Sequence, residues 1–462
     1  MNIHTRAIAE FVSHLTYQQI PAEVRERIKL LILDSLGCAV YGAHLEWCRI
    51  LRGTLAALDA TRTTSIWGTG EQLSSPHAAL VNGTQVQGFE LDDVHRTAVL
   101  HVGAVTLPGL IAVAQSHAKL SGREFLTAAV AGYEIGPRVG LCMGQEHIGQ
   151  GWHSGATVGV FSAAAGAARA LALDAETTVH ALGIAGTQSS GLMAAQYGAM
   201  VKRMHAGRAA QSGLYGALLA EDGFTGIVDV FEAPYGGFCT TFSRSNDRFD
   251  LAKLSAGLGE RFETMGIALK FYSCVGSNHT TLDAIRDIRQ RRPFALGEID
   301  HIVVHGSQVT VDHVGWPYQP EGLTGAQLNL PFCVATLLLA GDVFVDEFTP
   351  GCVDDAARIA LSRKVKVVHD PAITALGAAY RHKVRVAVHF RDGSAESESR
   401  EAPRGSEQSF ASSRDIIEKF RKLTRGVMAA EQQDALIDAV LGLETLPDSR
   451  MLIDLLRVDP SS

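Results

Sequence analysis

The sequence predicts a mainly α protein in which a large all-helical domain is joined to a smaller α+β domain. Three observations lead to this prediction. Helical spacing of apolar residues runs through the first 270 or so residues, short β-branched runs appear only after that point, and helical spacing returns near the C-terminus. We place the domain boundaries at residues 1–272, 273–402 and 403–462, with the last segment packing back on the helical domain.

The helical part begins with a clear start signal at Pro21, a residue favoured in the first turn of a helix. Val24 and Ile28 follow at helical spacing. Further helices are predicted at 44–60, 76–88, 103–119, 122–142, 154–172, 175–194 and 206–221. Gly and Ala crowd the segments 155–172 and 207–220, which allows helix backbones to approach closely. These segments therefore predict a compact helical bundle.

The second part begins where β-branched residues start to alternate with polar ones. Strands are predicted at 301–306, 365–369 and 384–393, the last closing on a turn at Asp392-Gly393. Helices are predicted between them, at 282–291 and 325–340. A mixture of this kind is typical of an α+β domain.

The C-terminal part starts with the polar stretch 394–411, which we interpret as a crossing over the surface. Helical periodicity then returns at 413–423 and 431–441. If this helix pair packs on the first domain, that domain is discontinuous in sequence.

Composition excludes several classes of protein. The 462 residues are 46% hydrophobic and 19% charged, with a net charge of -8 and a pI near 6.1, so no overall basic field suggests a nucleic-acid partner. No leader pattern opens the chain and no apolar run approaches the roughly 20 residues that span a bilayer; we therefore expect a cytoplasmic protein without a membrane partner. The seven cysteines are widely spaced and odd in number, which favours reduced thiols over a disulfide, iron-sulfur or structural zinc framework.

The stretch 88–101 carries three carboxylates and two imidazoles directly before an apolar helix. Those residues are Glu90, Asp92, Asp93, His95 and His101. Carboxylates can orient imidazoles, and an imidazole exchanges protons near neutral pH, so the stretch is a candidate catalytic segment. The alternative is a solvated loop that caps the helix starting near Gly103. The spacing matches neither a helical His pair nor a calcium loop, which disfavours a metal site.

Two basic segments could face this acidic one. Lys202, Arg203 and His205 come just before a predicted helix start at Gly207, where free N–H groups and the helix dipole favour a substrate carboxylate. The alternative is a solvated basic turn.

The other basic segment, Lys270 to His279 with Tyr272 inside it, lies at the predicted domain junction, where clefts commonly form. The alternative there is a structural hinge. Cys274 and Cys333 have no neighbouring base in sequence and are interpreted as structural. From sequence alone, a lone histidine such as His153 at a helix start is more typical of a cap than of a catalyst.

Taken together, these segments resemble the MmgE/PrpD family, which contains 2-methylcitrate dehydratase, cis-aconitate decarboxylase and iminodisuccinate epimerase. The resemblance covers nearly the whole chain and depends on the motifs at 81–101, 202–207, 270–279 and 325–336. It implies a helical domain, a lid-like α+β domain, a homodimer and cofactor-free chemistry on di- or tricarboxylates. It also implies that a cleft between the domains is lined by His101, His153, Lys202 and Lys270.

Departures from the family pattern suggest a branch. Glu90 and Val94 stand where an aspartate and a threonine are usual in the dehydratases and decarboxylases, Val102 replaces a proline and Phe332 replaces a tyrosine. On these departures the chain looks closest to iminodisuccinate epimerase.

We therefore expect an isomerase that removes a proton next to a carboxylate of a dicarboxylate imino or amino acid, with cations stabilising the developing charge. Lys202 is the expected proton-transfer group, together with His101 or His153. The expected substrate-binding residues are Glu90, Asp93, His95, Arg203, His205, Lys270 and Tyr272. Two alternatives stay open: a dehydratase or decarboxylase of a tricarboxylate, and a carboxylate-binding protein without catalysis.

Overall fold

A computed structural model describes residues 3–144, 146–197, 199–320 and 322–458 of the chain. The helices before residue 260 are α1 (Ile3–His14), α2 (Ala22–Gly42), α3 (Glu46–Leu58), α4 (Ser75–Val86), α5 (Val102–Ser116), α6 (Gly122–Met143), α7 (Glu146–Gly149), α8 (Ser154–Thr157), α9 (Gly159–Ala170), α10 (Ala175–Gly186), α11 (Val201–Glu221), α12 (Phe238–Ser243) and α13 (Ala252–Ser255). The short strands here are β1 (Thr64–Ser65), β2 (Gln72–Leu73), β3 (Val94–His95) and β4 (Ile267–Ala268). The predicted helical bundle is confirmed.

Small residues allow α4 and α11 to cross closely in this bundle. A Cβ added to Gly83 would lie 2.6 Å from the Gly207 Cα, and a Cβ added to Gly207 would lie 2.0 Å from the Leu80 carbonyl oxygen. Farther along α11, a Cβ on Gly213 would lie 2.5 Å from the Ala164 nitrogen of α9. Larger side chains would push these helices apart, so the glycines fix how α11 sits against α4 and α9.

A four-stranded sheet forms the second part of the molecule. Its strands are β5 (Ile299–Gly306), β6 (Val365–His369), β7 (Val384–Phe390) and β8 (Ala395–Arg400), in the spatial order β6-β5-β7-β8. β5 and β6 are parallel, whereas the β5/β7 and β7/β8 pairs are antiparallel, with Val304 opposite Val386. Helices α14 (Gly276–Arg291), α15 (Gln308–Val314), α16 (Leu323–Leu328), α17 (Leu330–Ala340), α18 (Pro350–Val353), α19 (Ala356–Ser362) and α20 (Pro371–Ala375) complete this part.

The C-terminal helices return to the helical bundle, as predicted. They are α21 (Ser413–Thr424), α22 (Ala430–Leu441) and α23 (Arg450–Asp454). α21 packs on α2, where Phe420 lies against Gly37. Lys419 of α21 also reaches Asp34 of α2, with 2.6 Å between Nζ and Oδ1. The fold class is confirmed, whereas the exact boundaries at 272 and 402 stay predictions.

Several local predictions were wrong. The polar stretch after residue 393 is not a simple crossing, because residues 395–400 form strand β8 at the edge of the sheet. Its side chains alternate between exposed and half-buried, so it lacks the apolar face by which a strand is usually recognised. Helix α11 begins at Val201 rather than at 206, and the helices predicted at 154–172 and 325–340 are each split in two.

No single helix within the described ranges is both long and apolar enough to cross a bilayer. The bent pair α2 and α3 meets the criteria of length and composition, with an angle of 80° between the two helices. The cytoplasmic location and the homodimer expected from the sequence stay predictions.

Candidate active site

The acidic segment is the loop that follows α4. Glu90 has a φ of 60°, in the left-handed region that residues with a side chain seldom adopt. The short strand β3 then pairs antiparallel with β4, with Val94 opposite Ala268. Lys270 follows β4 by two residues, so this pairing brings it next to the acidic loop.

Three cations surround the carboxylate of Glu90. Oε1 accepts hydrogen bonds from Lys202 Nζ and from the Arg203 guanidinium, and Oε2 accepts one from Lys270 Nζ at 3.2 Å. Lys202 and Arg203 are in the first turn of α11, which the close α4/α11 crossing holds beside this loop. All four side chains are buried or nearly so. The structure therefore joins the acidic segment and both basic segments in one ionic cluster.

His101 and Asp92 extend this cluster. His101 Nδ1 lies 2.8 Å from Asp92 Oδ2, and Lys270 Nζ lies 3.9 Å from Asp92 Oδ1. Because Asp92 engages Nδ1, the opposite nitrogen of the His101 ring, Nε2, is the one left for proton exchange. The pair resembles the base-and-orienting-carboxylate arrangement that general acid-base catalysis uses.

Burial and charge shift the protonation of this cluster. Burial alone would raise the pKa of Glu90, but the charges of Lys202, Lys270 and Arg203 outweigh it and hold the pKa well below its usual range. Burial lowers the pKa of Lys202; the Glu90 carboxylate opposes this effect, and Arg203 and Lys270 add to it. Glu90 is therefore ionised at neutral pH, while Lys202 gives up its proton more readily than an exposed lysine.

His153 and His205 form a second layer of the site. Their ring centroids are 4.9 Å apart. Burial, followed by the charge of Lys202, lowers the pKa of both rings, and that of His153 falls well below its ordinary value. A Cβ added to Gly155 would lie 3.1 Å from His153 Cε1 and 4.0 Å from Gln87 Nε2, so Gln87 is a neighbour of this layer.

Several buried polar atoms of this layer have no hydrogen-bond partner among the described residues. They are Gln87 Nε2 and Oε1, His153 Nδ1 and His205 Nδ1. Buried polar groups are seldom left unpaired in proteins. Unpaired donors and acceptors beside a cationic cluster are groups that a polar, anionic ligand would pair with.

Asp93 and His95 lie beside the cluster but are engaged elsewhere. Asp93 Oδ1 accepts a hydrogen bond of 2.9 Å from the Gly103 backbone N–H, so it caps α5, which was the alternative function considered for this loop. His95 Nε2 lies 3.3 Å from Glu263 Oε2, and its Nδ1 accepts a 3.1 Å hydrogen bond from the Ala98 backbone N–H. The structure does not bring either side chain to the three cations.

Tyr272 faces away from Glu90. Its hydroxyl donates a 2.6 Å hydrogen bond to Asp283 Oδ1, and its ring packs edge-on against His279. The side chain also lines a separate cavity of about 210 Å³ together with Arg286 and Lys422. The substrate-binding function predicted for Tyr272 has no support in this geometry.

Two residues that sequence reasoning missed hold the site together. Gln327 Oε1 accepts a 3.3 Å hydrogen bond from Arg203, and Gln327 Nε2 donates a 3.0 Å bond to the Ser273 carbonyl oxygen. The Ser273 hydroxyl donates to the Phe89 carbonyl oxygen at 3.0 Å, immediately before Glu90. The sequence feature that could have identified Gln327 is its place in the 325–336 segment. For Ser273 the sequence offered only its nearness to Lys270.

Comparisons with known proteins identify the family. The MmgE/PrpD N-terminal domain matches residues 6–250 and the MmgE/PrpD C-terminal domain matches residues 272–445. The cis-aconitate decarboxylase-like protein oryM of Aspergillus oryzae is 35% identical over 98% of this chain and 97% of its own length. The cis-aconitate decarboxylase of Aspergillus terreus is 33% identical over 98% and 95%. The 2-methylcitrate dehydratase of Escherichia coli is 22% identical over 80% and 79%.

These relatives show that the expected epimerase activity was wrong. Their names point to decarboxylation and dehydration, the alternative left open from the sequence. Two of the four departures used to choose the epimerase branch can be assessed in the structure: Glu90 keeps a carboxylate at its position, and Phe332 is fully buried against Tyr318, with ring centroids 4.4 Å apart. Neither observation points to an epimerase. With two domain matches that together cover most of its length, the chain belongs to the MmgE/PrpD family.

Proposed function

We propose that the protein is a lyase that removes one carboxyl group, as CO2, from a small tricarboxylate of the cis-aconitate type. The observation that carries this proposal is the buried cluster of Lys202, Arg203 and Lys270, which provides more positive charge than its own carboxylates neutralise. The cluster suits decarboxylation and dehydration alike. The cis-aconitate decarboxylase of Aspergillus terreus and the decarboxylase-like protein of Aspergillus oryzae match over nearly their whole length, which favours decarboxylation.

The proposed reaction needs two kinds of group. When the bond to one carboxyl carbon breaks, CO2 leaves and the electron pair of that bond stays on the remaining carbon chain, conjugated to a second carboxylate. Cations fixed against that carboxylate stabilise the developing negative charge. A proton must then be added to carbon, so each turnover consumes one proton and releases one CO2.

The site contains candidates for each task. Arg203 and Lys270 would hold the carboxylates that stay on the product. Lys202, whose pKa burial lowers, would deliver the proton, and His101, oriented by Asp92, would be the second proton-transfer group. Because His153 and His205 are held neutral, they would act as hydrogen-bonding rather than charged partners of the ligand.

Proton and carbon NMR in deuterated water tests this proposal. With cis-aconitate as substrate, we expect bicarbonate and an unsaturated dicarboxylate that carries one deuterium on carbon. Citrate and 2-methylcitrate are the matched comparison, because they can lose water without losing carbon. If the protein dehydrates them and releases no CO2 from cis-aconitate, the decarboxylase assignment is wrong and the dehydratase function replaces it.

A further inference from the structure

The carboxylate of Glu90 occupies the position where a substrate carboxylate would be expected. It is the common acceptor for Lys202, Arg203 and Lys270, with each of its two oxygens engaged. The charges of those same side chains keep it ionised at neutral pH. An incoming carboxylate would find a hydrogen-bond donor of each of the three cations already engaged by Glu90.

We infer that Glu90 is an internal ligand, which holds the three cations together in the free protein and is displaced from them when a substrate carboxylate binds. This inference rests on the proposed carboxylate site but not on which bond the enzyme breaks. It differs from the direct substrate contact expected from the sequence, because Glu90 and the substrate compete for the same donors.

The backbone supports this inference. Glu90 has a left-handed φ of 60°, a conformation that is seldom populated by a residue with a side chain and persists only where the surroundings hold it. The surroundings here include the three cation contacts and the hydrogen bond from Ser273 to the Phe89 carbonyl oxygen. If a substrate carboxylate took the place of the Glu90 side chain, the three cations would stay paired. The backbone at Glu90 would then lose the cation contacts that help to hold it in the left-handed conformation.

The unpaired polar atoms next to the cluster show where the rest of a ligand would bind. Gln87, His153 and His205 have buried nitrogen or oxygen atoms without a partner among the described residues. A ligand that only approached the outside of the cluster would leave these atoms unpaired. One that replaces Glu90 would place its first carboxylate among the cations and leave its remaining oxygens to pair with these atoms.

Competition of this kind lowers the apparent affinity of the site by the fraction of molecules in which Glu90 has moved away. Isothermal titration calorimetry with tricarballylate measures that affinity without turnover. This saturated tricarboxylate has no double bond to support decarboxylation and no hydroxyl group to lose as water. We expect Glu90→Gln, which keeps the size of the side chain and removes its charge, to bind tricarballylate at least about tenfold more tightly than the wild-type protein. Glu263→Gln is the matched control, since Glu263 is a buried carboxylate that bonds His95 rather than the cations, and its affinity should equal that of the wild type.

Unchanged or weaker binding by Glu90→Gln would overturn the inference and assign Glu90 to organising the cations for the substrate. If Glu90→Gln does not fold by circular dichroism, Glu90→Asp takes its place. The shorter acid keeps the charge but cannot reach all three cations, so a smaller gain in affinity supports the inference and no gain overturns it. Because tricarballylate is not converted, a failed decarboxylation assay leaves this result standing, and tighter binding by Glu90→Gln does not by itself establish decarboxylation.

Discussion

Two buried ionic clusters lie almost side by side in this protein, and they differ in their charge balance. In one, Lys419 meets a single carboxylate, Asp34, at 2.6 Å and donates a further 2.6 Å hydrogen bond to the Leu91 carbonyl oxygen. In the other, one residue before Leu91, three cations converge on Glu90. The first cluster has one cationic and one acidic side chain. The second has three cationic side chains and two acidic ones, Glu90 and Asp92.

The difference in charge balance distinguishes a cluster that stabilises the fold from one that is suited to binding a ligand. Burying a charge is costly unless an opposite charge and hydrogen bonds compensate it, so a balanced pair needs nothing further. Burial alone would lower the pKa of Lys419, but the charge of Asp34 outweighs it and raises the pKa. Burial raises the pKa of Asp34 to about 6, with Lys419 opposing the shift, so both members of this pair are charged at neutral pH. The pKa of Lys202 is instead lowered. Surplus buried positive charge would be balanced by an anion that the chain does not supply, which is why the second cluster is the proposed ligand site.

The largest expected effect comes from truncating a cation of the unbalanced cluster. Lys202→Ala should lower kcat for decarboxylation about 10⁴-fold, because it removes the proposed proton donor and one of the three cations. Its free energy of unfolding should change by less than about 1 kcal/mol, since Glu90 keeps Arg203 and Lys270. Steady-state kinetics and urea denaturation measure the two quantities. Lys383→Ala is the control, because Lys383 pairs with Glu401 at the surface.

The opposite result is expected for the balanced cluster. Lys419→Met should lower the free energy of unfolding by about 3–5 kcal/mol, because it leaves the Asp34 carboxylate buried without its partner. For protein that remains folded, kcat should fall far less than in Lys202→Ala. Arg414→Ala, on the exposed side of the same helix, should be close to wild type in urea denaturation. Equal losses of activity in the two lysine variants would contradict the separation of structure from function.

A carboxylate of the same loop that has no cation sharpens the comparison. Burial raises the pKa of Asp93 to about 8 from an ordinary value of 3.8; the hydrogen bond from Gly103 opposes the shift, and the charges of Asp92 and Asp34 add to it. Between these two pH values the folded protein keeps a proton that the unfolded chain has lost, so stability falls as pH rises toward 8 and then levels off.

Asp93→Asn tests this prediction, because its amide oxygen can still accept the Gly103 hydrogen bond. From pH 6 to pH 8, the wild-type free energy of unfolding should fall by up to about 2–3 kcal/mol more than that of Asp93→Asn. Urea denaturation at the two pH values provides the comparison. Parallel pH dependence in the two proteins would mean that Asp93 is ionised in the fold.

The sequence was sufficient for the features that repeat along the chain. Apolar residues at helical spacing predicted most helices of the bundle, and alternating β-branched residues predicted β5, β6 and β7. Strand β8 was missed because its residues are polar on both faces, and only pairing with β7 makes it a strand. Sequence patterns identify a strand by its buried apolar face, and this edge strand has no such face.

Part of the candidate site was predictable and part was not. Lys202, Lys270 and Glu90 stood out because charged residues flank apolar helices and a predicted junction. The approach of Lys270 to the Glu90 carboxylate depends on the pairing of β3 with β4. These strands have two residues each, too few to give a periodic pattern in the sequence. The contacts of Tyr272 with Asp283 and His279 could not be predicted either, because proximity to Lys270 in sequence does not determine which way a side chain faces.

A crystal structure of the protein with bound tricarballylate tests the central claim most directly. We predict one ligand carboxylate within hydrogen-bond distance of Lys202, Arg203 and Lys270, with the Glu90 side chain displaced from them. A ligand bound elsewhere, with all three cations still on Glu90, would contradict the assignment of this cluster as the substrate site.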